Sequence, residues 1–329
     1  MAHLATARFD RLTTEIVGAV AIVRMNGGPL AMLDRALVGD LAALVDIADH
    51  DPTIRAVVLT GDHPDRFAGH ADIRWLQEGA DNSPSLNRTS ASLVMRFVGA
   101  VAGFATFRKA SARTPLEGVV ELDRFHDTFT RMNTSGVVYV AAINGSALGG
   151  GAELAWACDV RVMADDESIF LGQMEILLGF NPGGGATQRL THLVGAHRAL
   201  TAILEGRPFG PQEALRIGAV DAVVSRDALV EEAVRCGRQL GARSSAAIAA
   251  VKRAVYFGAS QPLHRGLLHE RAEFLQTLST PEAQTIMRDY VRDYEGAGRL
   301  LLYDADEYSR ARLEGRWTGP AESSPRSDR

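Results

Sequence analysis

The stretch Ala141–Asp159, AAINGSALGGGAELAWACD, decides the fold. An apolar run of strand character meets three consecutive glycines, Gly149 to Gly151, and Glu153 follows at once in a helix-like segment. Glycine is unfavourable inside either element, so a triplet at their junction predicts a place where the backbone approaches another group closely. The first N–H groups of a helix have no intrahelical partner and sit at the positive end of its dipole, so Gly150 is placed to offer a bare N–H to developing negative charge. Glu153 lies three residues on, on the same helical face, where a carboxylate can act on a substrate whose carbonyl is held at Gly150. A plainer reading stands beside this one: Glu153 is an ordinary first-turn acid, and the glycines let helix and sheet pack closely.

Working outward, apolar runs at Glu15–Arg24, Ile54–Gly61 and Val137–Gly145 read as strands, and Leu33–His50 repeats apolar residues at helical spacing. Strands alternating with helices predict an α/β fold with a largely parallel, two-sided buried sheet. Beyond about Gly195 the pattern is mostly helical. Between Gly79 and Ser135 a turn-rich start and two helix-like pieces read as an insertion, and the final TGPAESSPRSDR reads as a disordered tail. No internal repeat is found.

Composition narrows the function. The 329 residues are 46% hydrophobic and 23% charged, which predicts a folded globular chain. A net charge of −5 argues against nucleic acid as the main partner. Cys158 and Cys236 have no metal-ligand or redox spacing, no apolar run is long enough to cross a bilayer, and the N-terminal stretch carries no apolar signal core. A cytoplasmic location without membrane attachment is expected. The glycines fail the dinucleotide fingerprint, because its third glycine falls on Leu154 after the first triplet and on Gln188 after the triplet Gly183–Gly185. Phosphate-loop, G-x-S-x-G and H-E-x-x-H patterns do not occur, so phosphoryl transfer, elbow-type serine hydrolysis and zinc proteolysis lack their usual sequence supports.

Four stretches then carry a resemblance: RFAGHADIRWL from Arg66, AAINGSALGGGAELAWACDVRV from Ala141, FLGQMEILLGFNPGGGATQRL from Phe170 and GAVDAVV from Gly218. In this order they resemble the crotonase, or enoyl-CoA hydratase/isomerase, superfamily over most of residues 13–278 apart from the insertion. The resemblance implies an α/β fold, a crotonase-like ββα superhelix with a helical C-terminal trimerisation region. The implied division is a ββα core over residues 1–205 with a helical insertion at about 79–135, a helical region over 206–303, and an extension over 304–329 with a disordered end. It also implies an acyl-CoA thioester substrate, with coenzyme A as part of that substrate and no metal or permanently bound cofactor, and a homotrimer or homohexamer.

Carried over residue by residue, the resemblance gives the oxyanion donors as the backbone N–H groups of Ala71 and Gly150. Glu153 would orient and deprotonate a water, and Glu175 would supply or remove the proton at the α-carbon. Taken alone, Glu175 reads as an ordinary surface or turn acid. Leu30, Ala31 and the backbone at Ala68 would contact the coenzyme A. Adding water across a C=C needs a base for the oxygen and an acid for the adjacent carbon, whereas double-bond isomerisation needs one carboxylate. The expected activity is therefore that of an enoyl-CoA hydratase, a lyase. The alternatives are isomerisation, biosynthetic dehydration or C–C cleavage on an acyl-CoA, and a non-catalytic acyl-CoA-binding protein.

Three features depart from the family pattern. His70 stands where glycine is usual, and is either a steric replacement, strained if φ must be positive there, or an extra pocket acid or donor. The interval between Ala71 and Gly150 is unusually long, and Phe97, Phe104, Phe107, Phe125 and Phe129 recur within it, as packing or as an enlarged acyl pocket. The C-terminal end lacks the usual Lys-Arg-x-Pro run, and Lys252 reads as a solvated lysine or, less simply, as a phosphate contact.

Overall fold

The computed structural model describes residues 3–81, 84–112, 114 and 116–321. Residues 322–329, most of the expected disordered tail, lie outside the described residues. Among the described residues nine strands form two sheets. The larger holds, in spatial order, β1 (Leu12–Val17), β2 (Val20–Met25), β3 (Ala56–Gly61), β5 (Val138–Ile143), β7 (Val160–Ala164) and β9 (Ala222–Val224), and the smaller holds β4 (Arg66–Ala68), β6 (Ser146–Leu148) and β8 (Leu171–Gly172). All pairings are parallel except β1 with β2.

That exception corrects the single strand expected over Glu15–Arg24. Gly18 takes a φ of 65° and turns the chain back, so the run is an antiparallel hairpin in which Val17 pairs with Val20. The central strands β3 and β5 are buried at every position, as expected of parallel strands covered on both faces. A long strand in the large sheet, a short strand in the small one and a helix recur along the chain, so successive strand ends and helix starts gather on one side.

The first helices are α1 (Arg35–His50), α2 (Ile73–Asp81), α3 (Arg88–Val101), α4 (Ala105–Ser111), α5 (Glu117–Met132), α6 (Gly150–Ala157), α7 (Ala186–Val194), α8 (Ala196–Glu205) and α9 (Pro211–Ile217). The last five are α10 (Leu229–Gly241), α11 (Ser245–Arg253), α12 (Leu263–Leu278), α13 (Pro281–Ala297) and α14 (Ala305–Glu314). Among the described residues no helix is long and apolar enough to cross a membrane.

The segment 79–135, read from the sequence as an insertion, divides by packing. α5 lies against α1, α2 and α6, and its Phe125, Phe129 and Met132 belong to the main core. α3 and α4 rest on α5 through a separate small cluster of Val98, Ala102 and Val120, with Val94, Phe107 and Val119 against it. The aromatic series is therefore mostly packing: Phe125 and Phe129 stack 4.5 Å apart in the core, Phe107 meets Phe97 edge to face, and Phe97 and Phe104 remain exposed.

Lys252 is not solvated. It is 7% exposed on α11, and its Nζ donates to the Val137 carbonyl at 2.9 Å and to Asp159 Oδ2 at 2.7 Å. Asp159 also accepts the Tyr139 N–H at 2.8 Å and the Tyr256 hydroxyl at 3.1 Å, so one carboxylate ties α11 to the ends of β5 and β7. Removing one partner of a buried pair leaves the other charge stranded, typically at roughly 3–5 kcal/mol. Lys252→Met is expected to cost less, about 2 kcal/mol, because Asp159 keeps two donors. Urea unfolding checks this, and an unchanged midpoint would show that the pair contributes nothing.

Candidate active site

The first glycine triplet lets two backbones touch. Gly149 has φ 54°, donates its N–H to Gly172 O at 2.9 Å, and accepts at its own carbonyl from Glu153 N at 3.0 Å and Gln173 Nε2 at 3.1 Å. A Cβ on Gly151 would lie 2.0 Å from Ala68 O, and one on Gly150 would lie 3.3 Å from Ala71 N. No side chain fits between the start of α6 and the loop from β4 to α2. The close approach expected from the sequence is thus between Gly150 and Ala71 themselves.

The β4–α2 loop is fixed by a bridge to Leu33, whose N–H donates to His70 O at 3.1 Å while its carbonyl accepts from Asp72 N at 3.1 Å. Ala71 N lies between these bonds and takes no part in them. Gly150 is the first residue of α6, where the N–H has no intrahelical acceptor. Among the described residues neither amide donates to a protein acceptor, and both residues line one cavity of about 780 Å³.

Glu153 and Glu175 line the same cavity. Glu153, on the first turn of α6, is 2% exposed, and its Oε1 accepts from Gly184 N at 2.7 Å and Ala186 N at 3.0 Å. The second glycine triplet is thereby explained. A Cβ on Gly184 would sit 2.3 Å from Glu153 Oε2, and Gly185 has φ 110° at the cap of α7. Arg189 secures this turn, donating to Gly184 O at 3.0 Å and to Asn133 Oδ1 at 2.9 Å. Sequence reasoning missed both Arg189 and the peptide N–H groups that hold Glu153; the signal for the latter was the triplet itself. Glu175 begins a short 3₁₀ turn, Glu175–Leu178, and its Oε2 accepts from Met174 N at 2.9 Å.

Burial pushes both carboxyl groups up. Glu153 rises to about 7, with repulsion from Glu175 adding to desolvation against the lowering effect of the two N–H donors. Glu175 rises for the same first reason, against the lowering effect of the backbone N–H groups of Glu175 itself and of Met174. For Glu153 the sign follows: the folded state holds a proton between about 4.5 and 7 that the unfolded chain has lost, so this group's penalty is absent below 4.5, grows with pH and is complete above 7. Glu153→Gln is therefore expected to be the more stable protein at pH 8 by up to ~3 kcal/mol, with the gain vanishing near pH 4.5. Thermal unfolding of both proteins across this range checks it; a pH-independent difference would contradict the burial account.

His70 lines the cavity, and its Nδ1 is 2.8 Å from Ala71 O, so Nδ1 carries the proton and donates. The condition for strain, a positive φ, is not met at His70. Among the described residues Ala31 alone, of the non-glycine positions, has a positive φ, 53°, and His70 occupies an ordinary backbone region. Leu30, Ala31 and Ala68 do not line the cavity. Leu30 is exposed, while Ala31 and Ala68 are buried, and the Ala31 carbonyl accepts from Gly69 N beside Ala68. Among the described residues no group of three or more His, Cys, Asp or Glu side chains could hold a metal ion.

Comparison with known proteins gives a consistent answer. The family model described as enoyl-CoA hydratase/isomerase matches residues 105–295. A protein of Mycobacterium leprae named "Probable enoyl-CoA hydratase" is 31% identical over 287 residues, covering 86% of this chain and 96% of its own. One of Rhizobium meliloti bearing the same description is 33% identical over 288 residues, with 86% and 95% covered. Among solved structures, an enoyl-CoA hydratase subunit of Geobacillus kaustophilus superposes with a TM-score of 0.68 at 30% identity, over 89% of this chain and 97% of that one. The α/β architecture of these structures is the one described above. This chain belongs to the enoyl-CoA hydratase/isomerase, or crotonase, family.

Proposed function

We propose that the protein adds water across the 2,3 double bond of an enoyl-CoA thioester. The observation that carries this reading is the convergence on one cavity of two buried carboxylates, Glu153 and Glu175, and two backbone N–H groups without acceptors, at Ala71 and Gly150. The thioester oxygen accepts from both amides, which draws electron density from the conjugated double bond and leaves the β-carbon electrophilic. Glu153 takes a proton from a water, the water oxygen bonds to the β-carbon, and the π electrons move to the thioester oxygen as an enolate. Glu175, protonated, delivers its proton to the α-carbon as the carbonyl re-forms. The elements of one water are then on the product, Glu153 holds a proton and Glu175 has lost one, and proton exchange with solvent resets the pair.

Both glutamates support hydration over isomerisation, since the latter can be run by one. In this reading Leu30, Ala31 and Ala68 meet the coenzyme A outside the cavity, no cofactor stays bound, and the chain works as a homotrimer or homohexamer in the cytoplasm. The test is loss of enoyl absorbance on incubation with a set of 2-enoyl-CoA esters, with the products weighed. A product heavier by one water is expected. Esters that bind unchanged, or that yield free acid and coenzyme A, would overturn the proposal.

A further inference from the structure

Resting on that reading of the site, the geometry points to a substrate with a long, apolar acyl chain, roughly eight carbons or more, whose tail lies beneath α3. The cavity has two chemically distinct ends. Among the described residues, His70, Glu153 and Glu175 are the only titratable side chains along its wall. The wall supplied by α2, α3 and α5 is apolar, and its two polar side chains are already engaged: Trp75 Nε1 donates to Glu121 and Gln77 Nε2 donates to Asp81. A charged tail would find no oppositely charged side chain on that wall among the described residues.

The contribution of α3 is specific. Ala91, Val94 and Met95 line the cavity at a spacing that puts all three on one helical face, and Val98, one turn on, anchors the helix on α5. This helix belongs to the segment that lengthens the interval between Ala71 and Gly150, and it shares no part of the main core. A four-carbon acyl group would occupy the neighbourhood of the two glutamates and leave the α3 wall wet. At about 780 Å³ the cavity falls in the upper part of the size range of small-molecule sites, roughly 300–1,000 Å³.

The experiment measures kcat/KM for 2-butenoyl-, 2-octenoyl- and 2-dodecenoyl-CoA, and the affinities of butyryl- and dodecanoyl-CoA by calorimetry. Apolar burial is worth about fourfold per methylene, so octenoyl-CoA is expected to exceed butenoyl-CoA by at least ~30-fold in kcat/KM. Ala91→Trp and Met95→Trp are each expected to lower the dodecenoyl-to-butenoyl ratio at least ~10-fold. Hydration of butenoyl-CoA with a flat or falling length profile, or a ratio unmoved in both variants, would overturn the long-chain inference and leave hydration standing. Tight, length-dependent binding of dodecanoyl-CoA with no ester hydrated would support the chain site and sink hydration. Should neither turnover nor length-dependent binding occur, both fall.

Discussion

Glu175→Gln is expected to lower turnover of a 2-enoyl-CoA by at least ~100-fold, up to ~10⁴-fold, with little change in affinity for a saturated acyl-CoA. The carboxamide keeps the shape of the side chain, and its oxygen can still accept the Met174 N–H that holds Oε2 now, so the 3₁₀ turn at Glu175–Leu178 has no reason to move. On the proposed mechanism, what is lost is the proton that Glu175 gives to the α-carbon while Glu153 works on the water. Binding rests instead on the two amides and the apolar wall, which the substitution does not touch. Near-normal turnover in this variant would remove the paired-carboxylate mechanism, whatever became of the oxyanion donors.

Gly150→Pro is expected to lower kcat by ~10²–10³-fold, the usual cost of one oxyanion donor. Gly150 is the first residue of α6, the helical position at which proline sacrifices no intrahelical bond, so the substitution deletes the N–H without breaking the ladder behind it. Space is tight: a Cβ there would be 3.3 Å from both Ala71 N and Leu33 Cδ1. The variant must therefore be shown by circular dichroism and calorimetry to be folded before its rate is read. A folded protein with normal kcat would contradict the assignment of Gly150 as a donor.

The fold was legible because its decisive features are local. A glycine triplet between a fully apolar strand and a helix has few structural explanations, and the close approach it predicts is observed at Gly150 and Ala71. The residues named for chemistry, Ala71, Gly150, Glu153 and Glu175, lie along one cavity, although the chain between the first and the last of them folds as helices α2 to α6 and strands β5 to β8. Features that depend on distant partners were not legible. Lys252 reads in sequence as a surface lysine, and its burial follows from its pairing with Asp159, 93 residues earlier in the chain. The hairpin at Gly18 was hidden because a glycine inside an apolar run marks a weak strand and a turn equally well. Whether His70 had to take a glycine's positive φ could not be read from the sequence; the left-handed conformation falls on Ala31, whose carbonyl accepts from Gly69.

The long interval before Gly150 shows the same limit from another side. Spacing alone revealed extra helices but not which of them face the cavity, because, of the phenylalanines that drew attention, only Phe125 lines it among the described residues, while Ala91, Val94 and Met95 line it without any distinctive chemistry. An apolar helical face reads alike in sequence whether it covers a core or a ligand.

The central claim, that Glu153 and Glu175 add the oxygen and hydrogen of one water to the β- and α-carbons of an enoyl thioester, is tested most directly by running the reaction in doubly labelled water and analysing the product by mass spectrometry and NMR. The account predicts a 3-hydroxyacyl-CoA carrying heavy oxygen at the β-carbon and deuterium at the α-carbon, formed at a rate that collapses in Glu175→Gln. A product of unchanged mass apart from exchanged hydrogen, with the double bond moved or untouched, would contradict it.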